Sequence, residues 1–322
     1  MNEPLMGVML DRASLDTGDL DLAALQGVAN WTFHDATAPD EIAARIANAD
    51  VVITNKVALD AATIEAAPTL RLICVAATGY NNIDIAAAAR RGIVVSNVRG
   101  YATPAVVQHV FALMLALTTR LRDYAELAVD GRWSQSRHFC RLDFPIREIA
   151  GRSLGIVGYG ELGRGVAEVA RAFGMTVLIA ARPGSDVIPD GRIALPELLP
   201  QVDVLSLHTP LNVHTRQLIG ADELARMRPD ALLINTARGA IVDAAALADA
   251  LRKGVIGGAG IDVLDPEPPA TDHPLLAPDI PNLILTPHVA WASREARQRL
   301  VEEMAANIRA FVSGSPRNTV MA

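Results

Sequence analysis

Short β-branched runs alternate with Ala-rich amphipathic segments along the chain, the pattern of parallel strands covered by helices. Before residue 100, candidate strands lie at 7–10, 31–34, 51–54, 72–76 and 94–96, with helical segments at 38–49 and 83–91 between them. The apolar stretch from 103 to about 129 reads as one long helix, with Pro104 at a tolerated early position. A second series then places strands at 153–157, 176–180, 204–208, 232–235, 260–263 and 283–286, and a helix at 294–311 that Gly314-Ser315-Pro316 ends. A chain of 322 residues exceeds what one hydrophobic core usually supports. The expectation is an α/β protein of two doubly wound parallel-sheet domains.

The second series carries a nucleotide signature. Gly158-Tyr159-Gly160-Glu161-Leu162-Gly163 follows the strand at 153–157 directly and opens a helix at 162–173, so it reads as a Rossmann dinucleotide-binding turn. In that reading Gly158 allows the tight turn, Gly160 lets the backbone approach a pyrophosphate, and Gly163 lets helix and strand pack closely. The alternative is a Gly-rich turn without ligand. At the end of the next strand, where an acidic residue would accept hydrogen bonds from the adenosine ribose, the chain has Ala181 and then Arg182. A guanidinium there matches a 2′-phosphate, so NADP(H) is favoured, with NAD(H) possible if Arg182 stacks on adenine or faces solvent.

Three further segments fall at or just past strand C-terminal ends, the edge where open α/β sheets bind ligands. They are Asn235-Thr236-Ala237-Arg238-Gly239, Asp265-Pro266-Glu267-Pro268-Pro269 and Thr286-Pro287-His288-Val289-Ala290-Trp291. Reduction of a 2-oxo acid needs such a set. A guanidinium (Arg238) holds the carboxylate and polarises the carbonyl as charge develops on its oxygen. An imidazole (His288) protonates that oxygen, and a carboxylate (Glu267) fixes the imidazole tautomer and stabilises its cation. Taken singly, each has a plainer reading: an ion pair for Arg238, a solvated loop for Glu267, a satisfied core histidine for His288.

Together these motifs resemble the D-isomer-specific 2-hydroxyacid dehydrogenases over nearly the whole chain, most closely bacterial glycerate dehydrogenases, also called hydroxypyruvate reductases. The resemblance implies Arg238, Glu267 and His288 as the catalytic triad and a small 2-oxo or 2-hydroxy acid as substrate, with 2-ketogluconate or lactate types open. It implies a flavodoxin-like substrate domain made of residues 1–100 plus 290–322, a cofactor domain at 101–289, and a homodimer. Thr103, Glu161, Leu162, Thr209, Thr236, Ala237 and Asp262 would join the glycine turn, Ala181, Arg182, Arg238 and His288 around the cofactor, Asp262 meeting the carboxamide. Backbone N–H groups of Ala77, Thr78 and Gly79 would bind the substrate carboxylate, and Trp291 either walls the pocket or belongs to the core. The segment 131–140 would reach across the dimer or pack on its own subunit. Corepressor-like nucleotide sensors built on this scaffold share even the triad and form the competing class.

Bulk properties set the surroundings. A net charge of −7 and scattered arginines, which make up all but two of the 29 basic residues, argue against a nucleic-acid partner. Apolar segments too short for a membrane span, the lack of a secretory signal, and Cys74 and Cys140 as the only cysteines fit a reducing cytoplasm, with no metal site.

Overall fold

A computed structural model describes residues 4–185 and 187–321 and divides the chain into two compact units. The first unit contains residues 1–102 and 291–322, the second residues 103–290.

In the first unit, strands β1 (Met6–Met9), β2 (Asn30–Phe33), β3 (Val51–Thr54), β4 (Leu72–Val75) and β5 (Val94–Ser96) form a parallel sheet in the order β2-β1-β3-β4-β5. That is the flavodoxin-type order. Every residue of β3 and β4 is buried, as parallel strands covered on both faces require, and Val52, Ile73 and Val75 form a core with Ile46, Leu59 and Ile64. The helix Arg294–Val312, capped by Ser293 through Ala296 N at 3.2 Å, belongs to this unit. Arg297 grips Asp19 with two bonds of 2.7 and 2.8 Å, which hold that carboxyl well below the usual range. Asn307, fully buried, donates to the carbonyl of Asn97 at 2.9 Å. Periodicity alone does not reveal this return of the chain.

The second unit holds β6 (Ser153–Val157), β7 (Thr176–Ile179), β8 (Val204–Leu207), β9 (Leu232–Asn235), β10 (Gly258–Ile261) and β11 (Leu283–Leu285). All are parallel, in the order β11-β10-β9-β8-β6-β7. A single parallel bridge, Ala180 to Ile193, adds a rudimentary edge strand beyond β7. Counted with it, the order from that edge is the Rossmann 3-2-1-4-5-6 with one strand more, and its reversal point lies between β6 and β8. The two-domain α/β expectation is borne out.

Two expectations change. The stretch from 103 to 129 is two helices, Thr103–Thr118 and Leu121–Val129, bent by 59°. Arg120 between them is left-handed (φ 55°), and Thr118 and Thr119 turn their hydroxyls back to the carbonyls of Met114 and Leu115 at 2.9 and 2.6 Å. Arg120 also pairs with Asp123 at 2.7 Å and donates to Asn282, which fixes the corner. The strand expected at 260–263 instead starts at Gly258, because pairing with β9 begins at Leu232. Its glycines look like a turn in sequence. In the fold Gly260 makes room for the helix Thr103–Thr118, since a Cβ there would lie 2.9 Å from Leu113 Cβ. Among the described residues no single helix is long and apolar enough to cross a membrane.

Candidate active site

Functional groups of the second unit gather where β6, β8, β9, β10 and β11 end. β6 runs into Gly158 at φ 92°, a left-handed turn where a Cβ would lie 2.5 Å from the backbone of His208. A Cβ on Gly163 would lie 2.2 Å from the carbonyl oxygen of Gly158. The chain's own packing therefore demands two of the three glycines. At Gly160 a Cβ would meet nothing within 4 Å, so the space over this residue is open. Gly160 caps the helix Glu161–Ala172 without any side-chain cap bond, leaving its first-turn N–H groups and positive dipole end directed at that space. The one acidic residue of that turn, Glu161, accepts from the Thr103 hydroxyl at 2.5 Å. Leu162 follows it in the same turn.

On either side of this cradle, β8 leads to His208 and buried Thr209, and β7 leads to Ala181 and exposed Arg182. Burial lowers His208 to about 4, so its ring, 2.8 Å from the Ser206 hydroxyl, stays neutral near pH 7. Past β9, the buried Asn235 side chain clamps the turn, accepting from Ala237 N at 3.0 Å and donating to the Arg238 carbonyl at 2.9 Å. The Thr236 hydroxyl is buried with no hydrogen-bond partner among the described residues. That orphan and the open space over Gly160 both fit a bound dinucleotide. Half-buried Arg238 donates to the Ala237 carbonyl at 2.7 Å and has no carboxylate partner among the described residues, which removes the ion-pair reading.

Gly239 joins the next segment. A Cβ there would lie 2.0 Å from the Leu264 carbonyl carbon, so the Arg238 turn presses against the loop that carries Glu267. Glu267 accepts from Leu264 N at 2.9 Å through one carboxylate oxygen and faces His288 Nδ1 at 2.6 Å through the other. A carboxylate only accepts, so Nδ1 carries hydrogen, and the contact fixes the tautomer and orientation of the ring. With 25% of its side chain exposed, His288 is no core histidine.

His288 is held in a left-handed conformation (φ 54°) that costs a non-glycine residue energy unless its surroundings over-determine it. Its N–H donates to the carbonyls of Asp262 at 2.7 Å and Thr286 at 3.0 Å. The fully buried Asp262 carboxylate accepts from Thr286 Oγ1 at 2.6 Å and from the N–H groups of Val289 and Ala290 at 2.9 Å each. The Thr286 hydroxyl spends its single hydrogen on Asp262, so it must accept from His109 Nε2 at 3.0 Å. The three side-chain hydrogen bonds of Asp262 thus go to the turn around His288, while His109 Nε2 stands 3.6 Å from the same carboxylate. His109 and Thr286 were missed by sequence reasoning, and no spacing signal joins positions 177 residues apart.

The remaining expected residues lie in the first unit. Ala77, Thr78 and Gly79 follow β4, and the loop is pinned to the chain after β5: Thr78 Oγ1 donates to Val98 O at 2.8 Å, Asn97 Nδ2 to Thr78 O at 2.7 Å, and Val98 N to Ala77 O at 3.0 Å. Trp291 is half-buried, edge-on to Tyr101 at 6.3 Å.

The fold and these groups define a dinucleotide-dependent oxidoreductase. Residues 111–290 match the model of a family described as "D-isomer specific 2-hydroxyacid dehydrogenase, NAD binding domain". A glycerate dehydrogenase of Methylorubrum extorquens is 46% identical over 317 residues, 98% of each chain. A hydroxypyruvate reductase of Blautia hydrogenotrophica is 35% identical over 97% of this chain and 98% of its own. Among solved structures, the NADPH-dependent glyoxylate/hydroxypyruvate reductase of Sinorhizobium meliloti, in complex with NADP and malonate, superposes with a TM-score of 0.80 at 26% identity, covering 99% of this chain and 97% of its own. The chain belongs to the D-isomer specific 2-hydroxyacid dehydrogenase family: it is an oxidoreductase that acts on CH–OH donors with a nicotinamide cofactor.

Proposed function

We propose that the protein reduces hydroxypyruvate to D-glycerate and glyoxylate to glycolate, prefers NADP(H), and uses Arg238, Glu267 and His288 as its catalytic residues. The observation that carries this reading is the 2.6 Å bond from Glu267 to His288 Nδ1, which leaves Nε2 as the proton-transfer atom. The substrate class follows the named activities of the M. extorquens, B. hydrogenotrophica and S. meliloti relatives. Residues 103–290 would hold the nucleotide, with pyrophosphate on the N–H groups above Gly160 and polar contacts from Thr103, Thr209, Thr236 and Asp262. Residues 1–102 and 291–322 would hold the substrate. Among the described residues, no acceptor pairs with the N–H groups of Ala77, Thr78 and Gly79, which suits a carboxylate there.

The nicotinamide supplies the hydride. Arg238 binds the substrate carboxylate through its planar fork and places positive charge beside the carbonyl oxygen as that oxygen becomes negative. His288 delivers the Nε2 proton to it, and Glu267 stabilises the imidazolium beforehand and keeps Nδ1 protonated throughout. Oxidation runs the same proton path in reverse.

Arg182 and the lack of an acidic residue at position 181 support the NADP(H) preference. A homodimer is part of the proposal: Leu121, Val129, Trp133, Phe139, Leu142 and Ile146 expose six large apolar side chains within 26 residues, Phe139 at 92% and Leu142 at 84%. A cytoplasmic setting is proposed from the two unpaired cysteines. Initial rates with hydroxypyruvate and glyoxylate, each with NADPH and with NADH, test the reading, with chiral analysis of the glycerate formed. Faster turnover with NADPH and D-glycerate as product are expected. Nucleotide binding without turnover of either acid would replace the enzyme reading with a sensor, and equal rates with NADH would remove the cofactor preference.

A further inference from the structure

Beyond β7 the chain loops out and returns at residue 193, where it bridges to Ala180. Ala181 N donates to the Ile193 carbonyl at 2.7 Å and Ile193 N to the Ile179 carbonyl at 3.0 Å, so the returning chain is fixed beside the strand end. Arg192, the residue before the bridge, lays its guanidinium over the ring of Tyr159, 4.9 Å from the centroid. Tyr159 stands between Gly158 and Gly160 in the phosphate-binding turn. The cation is therefore held between the glycine turn and the end of β7. In a Rossmann fold the adenosine ribose spans that same gap, with its pyrophosphate on the turn and its hydroxyls at the end of the second strand.

We propose that Arg192, with Tyr159 as its platform, is a specificity-determining residue that contacts the adenosine 2′-phosphate of NADP(H). The inference deepens the NADP(H) reading and rests on it. Stacking on an aromatic face fixes the guanidinium plane while leaving its N–H edge for phosphate oxygens. Arg192 is half-buried and has no carboxylate partner among the described residues. Arg182 is exposed and precedes a turn closed by Ser185 N to its carbonyl at 3.1 Å; no aromatic ring stacks on it among the described residues. The two arginines thus differ in preorganisation: Arg192 is the stacked contact and Arg182 the exposed one.

Calorimetric titration with 2′,5′-ADP and with 5′-AMP tests this without turnover. In the wild type, 2′,5′-ADP should bind the more tightly. Arg192→Ala should weaken 2′,5′-ADP about tenfold, the size of one charge-assisted contact, and leave 5′-AMP unchanged, and Tyr159→Leu should weaken 2′,5′-ADP more than it weakens 5′-AMP. Unchanged 5′-AMP binding also reports that Arg192→Ala is folded. Arg192→Lys, which keeps the charge without the stacked fork, should fall between wild type and Arg192→Ala. In turnover, Arg192→Ala should raise KM for NADPH with kcat and KM for NADH unaltered. If Arg192→Ala binds 2′,5′-ADP as well as wild type while Arg182→Ala does not, the inference about Arg192 is overturned and the NADP(H) reading stands. A wild type that binds both probes equally overturns the NADP(H) reading itself.

Discussion

The two edges of the six-stranded sheet use arginine in opposite ways. Around the strand N-terminal ends, guanidiniums are matched by carboxylates: Arg147 with Asp230 at 3.0 Å, Arg152 with Asp203 at 3.5 Å, Arg228 with Asp230 at 3.4 Å, and Arg252 with Asp279 at 2.7 Å. A cavity of about 490 Å³ opens there, its lining including Arg147, Arg152, Asp203, Asp230 and Arg252, and each of these three arginines has a carboxylate partner. At the C-terminal edge, Arg182, Arg192 and Arg238 have no carboxylate partner among the described residues; Arg216, 3.6 Å from Asp265, is the exception. Unpaired cations collect where the sheet leaves a ligand site. In an arginine-rich chain, lack of pairing separates anion-binding arginines from structural ones better than abundance does.

The largest effects should come from the C-terminal edge. His288→Ala should lower kcat by about 10²- to 10⁴-fold, the usual contribution of a positioned acid, while NADPH affinity measured by fluorescence stays the same. Arg238→Lys keeps the charge but loses the planar fork, so kcat/KM for hydroxypyruvate should fall by roughly 10²-fold. A drop below twofold in steady-state assays would return Arg238 to a structural role. Asp262→Asn weakens the clamp on the left-handed His288 turn, and kcat should drop by about tenfold, an expected cost near 1.4 kcal/mol.

Next comes a pH effect at the same edge. Burial depresses His208 from 6.5 to about 4 in the folded chain. Between those values the unfolded chain takes up a proton that the native chain refuses, so stability falls as pH drops through this window, by up to about 3 kcal/mol. Denaturant melts of wild type and His208→Asn from pH 7 to 4 should show a shallower acid loss in the variant. The smallest effect belongs to the paired edge. Arg252→Ala removes an exposed ion pair and should change stability by about 1 kcal/mol or less, with kcat/KM unchanged. A large kinetic effect there would erase the contrast between the edges.

Much of the fold was legible because parallel strands buried on both faces read as continuous apolar runs; β3 and β4 are the plainest cases. The glycine turn was legible because strand, turn and helix are contiguous. The corner at Arg120 was not, since arginine carries no mark of a left-handed conformation. Within the site, residue types at strand ends suggested the chemistry, whereas the 2.6 Å contact of Glu267 with His288 depends on how two loops return. The links from His109 through Thr286 to Asp262, and from Arg192 to Tyr159, arise only when the sheet brings distant segments together.

The most direct test of the contrast uses oxalate, a planar, non-reducible mimic of a 2-oxo acid. Its affinity for the enzyme saturated with NADPH would be measured calorimetrically in wild type, Arg238→Ala and Arg252→Ala. The account predicts a loss of more than about tenfold for Arg238→Ala, from removal of a charged hydrogen-bond partner, and wild-type affinity for Arg252→Ala. Equal affinity in all three proteins would contradict it, because the unpaired guanidinium past β9 would then not be an anion site.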